Sequence, residues 1–214
     1  DVRREVGGGV KGVFVNIGSS SLQAPGAGWI NYDRAPLPGV TVCDVRLGLP
    51  LGDNTVDVVV MSHVLEHLHP FKEAPAVLRD IKRCLKPGGV LRVAVPDLKR
   101  LTRAYLDPTS VSALALAESQ KYLGDSLGVA YLTMPPALRF SVICFGNNSG
   151  APAYDGHAVC FDFDALKWLL IDVGGFCDIA IVDTTISRHP ELLKTYRDTG
   201  VAEEIVVEVS KGAA

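Results

Sequence analysis

Short apolar runs, most of them ending at a small or acidic residue, recur along the first half of the chain. They cover residues 12–17, 29–32, 40–43, 56–61 and 90–95. The run VDVVVM at 56–61 is apolar almost throughout, which is typical of a central parallel strand covered on both faces. We therefore predict a β-strand at each run, with the strand at 56–61 in the middle of the sheet.

Helical periodicity appears between and after these runs. From 71 to 85 apolar residues recur every three or four positions and charged residues take the other face, which predicts an amphipathic helix. Its predicted apolar stripe is Phe71, Ala74, Leu78, Ile81 and Leu85. The sequence KPGG at 86–89 should end it. Further helices are predicted at 97–106, 110–123 and 162–173, and late strands at 176–183 and 204–209.

Strands that alternate with crossover segments predict an α/β fold with a mostly parallel sheet. The length of 214 residues favours a single domain over 1–214. Residues 1–10, with charges and three consecutive glycines, are expected to be flexible. Residues 107–156 are expected to form an insertion that covers the substrate. The gap between 17 and 29 leaves room for a short first helix at most.

Composition narrows the class of protein further. The net charge is −3 and no basic stripe is present, so a nucleic-acid partner is disfavoured. No apolar run approaches the roughly 20 residues that span a bilayer, so we expect no membrane insertion. The five cysteines are scattered and form no CxxC pair. Such spacing indicates reduced thiols and a cytoplasmic location rather than a disulfide framework or zinc site.

Residues suited to a nucleoside ligand follow the predicted strands, where parallel sheets bind their ligands. Gly18 allows a sharp turn and a close backbone approach. Asp33 can accept both hydroxyls of a ribose, and Asp44 can accept from an adenine amino group. Ser62 and His63 follow the central strand and would face the reactive end of the ligand. Each residue alone is also compatible with an ordinary turn or cap, and their order is what favours one ligand.

The segments NIGSSS, GWINYD, VCDVRLGLPLGDNTVDVVVMSHVLEHL and LRDIKRCLKPGGVLRVAVPDL resemble the class I S-adenosylmethionine (SAM) dependent methyltransferases. Within that class they are similar to the bacterial group of type-11 predicted methyltransferases, whose first helix is abbreviated. The resemblance covers about 13–101, and DGHAVCFDFDALKWLLIDVGGF resembles a C-terminal segment of the same group. It implies a Rossmann-like, seven-stranded, mostly parallel sheet with an antiparallel C-terminal hairpin. It also implies SAM as the cofactor.

The resemblance assigns roles to individual residues. It implies a SAM-binding loop after the first strand, a ribose-binding acid, an adenine contact and a segment lining the methionine part of SAM. The corresponding residues are Asn16, Gly18, Ser19 and Ser20 for the loop, Asp33 for the ribose, Asp44 and Val45 for the adenine, and Ser62 and His63 for the methionine part. Ser20 replaces the second glycine of the usual loop, and its Cβ should favour an ordinary negative φ.

Methyl transfer needs mainly positioning and desolvation, and a hydroxyl acceptor would also use a base. His63 and His157 are the predicted bases. Glu66 with His63 and His67 could form a metal site, but a structural Glu66–His67 pair at a helix start is the preferred interpretation, so no metal is predicted. The predicted acceptor is a small molecule with a hydroxyl or amine, such as a sugar or secondary metabolite.

Two other functions stay open. A nicotinamide-dependent oxidoreductase would have GxGxxG after the first strand, whereas this chain has GSSSLQ at 18–23. A non-catalytic methyltransferase-like partner protein is also compatible with the serine in the loop and the short first helix. The sequence does not indicate an oligomeric state.

Overall fold

A seven-stranded sheet forms the centre of the molecule in the computed structural model, which describes residues 12–20, 24, 28–107, 109, 133–145, 156–183, 186–189, 192 and 204–213. The strands are β1 (Phe14–Ile17), β2 (Trp29–Asp33), β3 (Thr41–Val42), β4 (Val56–Ser62), β5 (Leu85–Pro96), β6 (Cys177–Val182) and β7 (Glu204–Ser210). Each lies at or within a few residues of a predicted strand.

The strand order is β3-β2-β1-β4-β5-β7-β6. The five strands from β3 to β5 are parallel, and β7 is antiparallel to both β5 and β6. This confirms the predicted mostly parallel sheet with an antiparallel C-terminal hairpin. The order reverses between β1 and β4, which opens a crevice at their carboxyl ends, where sheets of this type bind ligands.

Four α-helices accompany the sheet in the described part of the chain. They are α1 (Ala74–Cys84), α2 (Leu98–Leu106), α3 (Pro136–Phe145) and α4 (Phe163–Lys167), and α4 continues as a π-helix over Trp168–Val173. Single 3₁₀ turns cover Val45–Leu47 and Leu65–His67. No described helix has the length and apolar character needed to cross a membrane.

The main hydrophobic core lies between one face of the sheet and the helices α1 and α4. Sheet residues such as Val59 and Val207 pack there with Leu78 of α1 and Leu166 of α4, and all four are fully buried. Burial of this kind contributes about 25 cal/mol for each Å² of apolar surface removed from water. The alternate residues of the same strands face the opposite side, as the period of two requires.

That opposite face carries a buried ion pair between β5 and β7. Arg92 and Glu208 lie opposite each other in the register, and their charged atoms are 2.8 Å apart at 1% and 0% side-chain exposure. Ser187 Oγ and the Arg188 N–H also donate to Glu208, while Arg92 donates to the carbonyl of Asp183. The pair therefore holds the segment after β6 against the sheet.

Helix α1 is shorter than the periodicity predicts. It begins at Ala74, and Phe71 lies in the preceding turn with 73% of its surface exposed. Proline in the first turn, here Pro75, suits a helix start because no N–H is needed there. The helix ends at Cys84, since Leu85 already belongs to β5 and Gly88 takes a left-handed φ of 74°.

The predicted helix at 162–173 is also only partly α-helical. Its second half is wound as a π-helix, and the Gly174 N–H reaches back five residues to the carbonyl of Leu169. A π turn adds one residue to a helical turn. Leu169 and Leu170, adjacent in sequence, are both buried in this segment.

Helix α3 lies in the described part of the predicted insertion at 107–156. It packs on α2 through a small core in which Leu101, Ile143 and Cys144 are buried and Phe140 is partly buried. The predicted helix at 110–123, the flexible segment at 1–10, and most of the gap that would hold a first helix lie outside the described residues. Residues 18–20 and 24 are not helical.

Candidate active site

The loop after β1 turns sharply and touches the segment after β4. Gly18 has a φ of +69°, and both the Gly18 and Ser19 N–H groups donate to the carbonyl of Tyr32 at the end of β2. A Cβ on Gly18 would lie 2.2 Å from Cγ2 of Val64. Glycine is needed here for both its backbone conformation and its lack of a side chain.

Asp33 holds this loop with its carboxylate. Its Oδ2 accepts from the Ser20 N–H and its Oδ1 from the Ala35 N–H, each at 2.9 Å. Ser20 has a φ of +44°, so the expectation of an ordinary negative φ is wrong. The bond to Asp33 helps to fix that left-handed conformation. Each carboxylate oxygen can accept a second hydrogen bond, so a ribose could still bind.

Asp44 and Val45 lie at the end of β3. Asp44 caps the 3₁₀ turn through the Arg46 N–H at 3.1 Å and binds the Arg46 guanidinium at 2.7 Å. The hydrogen bond from the Arg46 side chain holds the pKa of Asp44 below its usual value. Val45 is buried, and it packs in the main core. An adenine amino group at Asp44 would therefore share the carboxylate with Arg46.

Asn16 lies on β1 and is bonded to the neighbouring strand β2. It is 2% exposed, and its Nδ2 donates to Oδ1 of Asn31 on β2 at 3.1 Å. The same Asn31 oxygen accepts from the Ala24 N–H at 3.0 Å. Asn31 thus links Asn16 on β1 to Ala24.

Two buried hydroxyl groups at the strand ends lack hydrogen-bond partners within the described residues. They are Oγ of Ser19 and Oγ of Ser62. β1 and β4 are paired up to Ile17 and Met61, so both serines lie just beyond the paired ends, on either side of the crevice. Buried hydroxyls are normally hydrogen-bonded. Their chemistry therefore fits a polar ligand such as SAM.

His63 links three parts of the chain. Its backbone has a φ of +54° and donates to the carbonyl of Ala94. Its Nδ1 lies 3.1 Å from Glu66 Oε1, and its Nε2 lies 2.5 Å from Glu204 Oε1. Burial lowers the pKa of His63, but the bonds to Glu204 and Glu66 and their charges outweigh it and raise the pKa to about 10. In this arrangement both nitrogens are engaged, and the ring has no lone pair for a substrate proton.

His157 lies beside the 3₁₀ turn that follows β4. Its ring makes an edge contact with the ring of His67, with the centroids 4.7 Å apart. The neighbouring Ala158 N–H donates to the carbonyl of Glu66 at 2.7 Å. Burial lowers the pKa of His157, and the charges of His67 and His63 act in the same direction while that of Glu66 opposes them. Glu66, His67 and His157 thus form one cluster, to which His63 is joined through Glu66.

Two carboxylates take a larger part in this site than the sequence predicts. Glu66 is 1% exposed and Glu204 is 5% exposed, and both bind His63. The sequence contains a signal for Glu204, because it and Glu208 are the two acidic residues in the apolar run EIVVEV at 204–209. Acids are almost never fully buried unless they are paired. Its partner could not be identified, because 141 residues separate it from His63.

Comparisons with known proteins support the predicted class. The family model described as "Methyltransferase domain" matches residues 25–93. A SAM-dependent methyltransferase from Methanosarcina mazei shares 16% identity, with 95% of this chain and 93% of that chain covered and a TM-score of 0.52. No curated protein matches the chain.

Two further solved structures are similar at lower TM-scores. A SAM-dependent methyltransferase from Thermotoga maritima, described as a possible histamine N-methyltransferase, is 19% identical, with 94% of this chain and 83% of that chain covered and a TM-score of 0.48. Human N-acetylserotonin methyltransferase in complex with SAM is 15% identical, with 94% and 48% covered and a TM-score of 0.49. The Methanosarcina mazei structure shows the fold predicted for this chain, and the matched domain over 25–93 agrees with the predicted methyltransferase class.

Proposed function

Because this chain has the matched domain and the fold of the SAM-dependent methyltransferases, we propose that it transfers a methyl group from SAM to a small molecule. The acceptor atom in this proposal is a hydroxyl oxygen or an amine nitrogen, as in a sugar or secondary metabolite. The net charge of −3 supports a small-molecule acceptor over a nucleic acid. The five free cysteines support a reducing, cytoplasmic location.

The observation that carries the proposal is the construction of the crevice between β1 and β4. Three residues around it, Gly18, Ser20 and His63, have a positive φ. Such conformations are costly for residues other than glycine, and they cluster at functional sites. The two unpartnered hydroxyls of Ser19 and Ser62 lie in the same place. A purely structural sheet edge would need neither feature.

Each residue has a proposed part in holding the cofactor. The loop 18–20 approaches the ligand with its backbone, and Asp33 binds the ribose hydroxyls with its remaining lone pairs. Asp44 and Val45 lie towards the adenine, and Ser62 lies towards the methionine part. When bound, SAM supplies a methyl group on a sulfonium, which passes to the acceptor and leaves S-adenosylhomocysteine.

The two histidines differ in their proposed roles. His63 has both ring nitrogens bound to carboxylates, so we assign it to holding the segment after β4 in place. Its left-handed backbone needs such support. His157 lies at the border between this segment and the predicted insertion, and we assign it to the acceptor side. Positioning of the two reactants contributes most of the rate enhancement for a displacement of this kind.

Calorimetric titration with SAM and with S-adenosylhomocysteine tests the proposal. We expect Asp33→Ala to weaken the binding of both ligands by roughly 10- to 100-fold, because the ribose hydroxyls lose their hydrogen bonds to a charged carboxylate. Asp53→Ala is the matched control, because Asp53 is a 68% exposed carboxylate before β4, at the opposite end of that strand. A folded wild-type protein that binds neither ligand would instead favour the non-catalytic partner protein.

Ser62→Ala gives a second and more specific test. Removing an unpartnered buried hydroxyl should leave the melting temperature unchanged or raise it, because no hydrogen bond is lost. If that hydroxyl binds the cofactor, the same variant should bind SAM several-fold more weakly. Unchanged affinity in Ser62→Ala would remove Ser62 from the site.

A further inference from the structure

We propose that Glu66, His67 and His157 form a binding site for one divalent first-row transition metal ion, such as Zn²⁺. Each of these residues offers one ligand atom, and the three atoms lie within 4.8 Å of one another. The sequence favours a structural Glu66–His67 pair and predicts no metal. In the structure His157, 90 positions after His67 in the chain, adds a third donor.

A buried oxygen atom points to a ligand at this cluster. Glu66 is 1% exposed, and its Oε1 is bound by His63. Its Oε2 is buried and has no hydrogen-bond partner within the described residues. An unpartnered carboxylate oxygen at such depth is costly and is commonly explained by an ion or a bound water. A cation held by this oxygen and the two imidazoles would satisfy it.

The backbone holds the three ligands in place. The carbonyl of Glu66 accepts from the Ala158 N–H at 2.7 Å and from the Val159 N–H at 3.3 Å. These bonds tie the segment carrying His157 to the turn carrying Glu66 and His67. On its other side, the His157 N–H donates to the carbonyl of Phe145, at the end of α3. Ligands from two distant parts of the chain are thus brought to one place.

The spacing and the chemistry of the donors suit a small borderline cation. Donor atoms around a tetrahedral zinc ion at bond lengths of about 2.1 Å lie roughly 3.4 Å apart. The donor atoms of the cluster would have to move by about 1 Å, through side-chain rotation, to reach this spacing. Two imidazoles and one carboxylate favour zinc, iron, cobalt or nickel, whereas Mg²⁺ and Ca²⁺ favour all-oxygen sites.

His63 orients the carboxylate of this site. It binds Glu66 Oε1 and does not engage Oε2. Outer hydrogen bonds of this kind commonly fix the orientation of a metal ligand. Three protein ligands also leave coordination positions for a heteroatom of the acceptor. This last use of the metal rests on the proposed methyltransferase function, whereas metal binding itself does not.

Titration of the full chain with Co²⁺ and Zn²⁺, after treatment with a chelator and without histidine tags, tests the site. We expect one equivalent of Co²⁺ per chain with a visible d–d absorption band, and displacement of that band by Zn²⁺. His67→Ala and His157→Ala should each weaken Zn²⁺ binding at least tenfold. His69→Ala is the matched control, because His69 lies two residues from His67 and outside the cluster, and it should bind Zn²⁺ as the wild type does.

Three results would overturn the site. They are the absence of saturable one-to-one binding in the wild type, an equal loss of binding in His69→Ala, and unchanged binding in both cluster variants. Circular dichroism identifies any variant that fails to fold. In that case the presence or absence of the Co²⁺ d–d band in the wild type decides whether the site exists. Titration of the metal-free protein with SAM separates the two proposals. If the protein binds SAM but no metal, only the metal site is contradicted and the proposed methyltransferase function stands.

Discussion

At the scale of single residues, the crevice depends on backbone conformations that few residue types accept. Gly18 combines a left-handed φ with a contact that excludes even a methyl group. Ser20 and His63 take left-handed conformations and are held there by hydrogen bonds to Asp33, Glu66 and Glu204. The order of the crevice is therefore maintained by a small number of polar contacts.

Gly18→Ala should destabilise the protein by about 2 kcal/mol or more. The left-handed backbone alone costs a residue with a Cβ roughly 1–2 kcal/mol, and the contact with Val64 Cγ2 adds to it. The double variant Gly18→Ala/Val64→Ala should recover the contact part and retain the backbone part. Urea denaturation of the two single variants and the double variant forms a double-mutant cycle. Strict additivity in that cycle would show that the two residues do not meet.

The sequence predicts the types of residue at the site better than their contacts. Asp33, Gly18 and Ser62 could be chosen because each follows a predicted strand, and the structure brings the strand ends together. The conformation of Ser20 could not be predicted, because it depends on an acceptor 13 residues away. The engagement of both His63 nitrogens could not be predicted either, because Glu204 comes from a distant strand.

At the scale of elements, hydrophobic patterns predict strands more closely than helix ends. β4 and β5 are apolar runs in the sequence and central strands in the structure. The pattern at 71–85 continues beyond α1 because Phe71 and Leu85 fit the helical spacing by chance, while one lies in a turn and the other in β5. The pattern at 162–173 cannot distinguish α from π winding, since both bury one side.

The ion pair between β5 and β7 gives a prediction at this scale. Arg92→Met should destabilise the protein by about 3–5 kcal/mol, because it leaves Glu208 buried without its cation. Adding Glu208→Gln should recover part of that loss, since the second change removes the uncompensated charge. Chemical denaturation measures both variants. A double variant less stable than Arg92→Met would mean that the bonds from Ser187 and Arg188 to Glu208 matter more than its charge.

At the scale of the whole molecule, stability should be unevenly distributed over the sheet. β1, β4, β5 and β7 are paired on both sides and largely buried. β3 is a two-residue exposed strand at one edge, and β6, with Ile181 59% exposed, is the other edge. Opening free energies in proteins follow such differences in burial and pairing.

Hydrogen–deuterium exchange should therefore rank the strands. We expect peptides from β4 and β5 to exchange most slowly, and peptides from β3 and β6 to exchange first, because edge strands open without disrupting the core. Mass spectrometry of the exchanging protein at neutral pH resolves these segments. Equal protection of β6 and β5 would contradict this ranking and would indicate that another surface covers the β6 edge.

The position of β7 has a consequence for the synthesis of the protein. β7 follows every other strand in the chain, yet it lies between β5 and β6 and supplies Glu204 to His63. On the ribosome, β1 to β5 can associate as they emerge, but β6 has no place in the sheet until β7 has been translated. Until then one edge of β5 stays open, which is the condition in which nascent chains engage chaperones or aggregate. His63, after β4, gains its second carboxylate partner, Glu204, only when β7 has been translated, so this part of the candidate site is completed last.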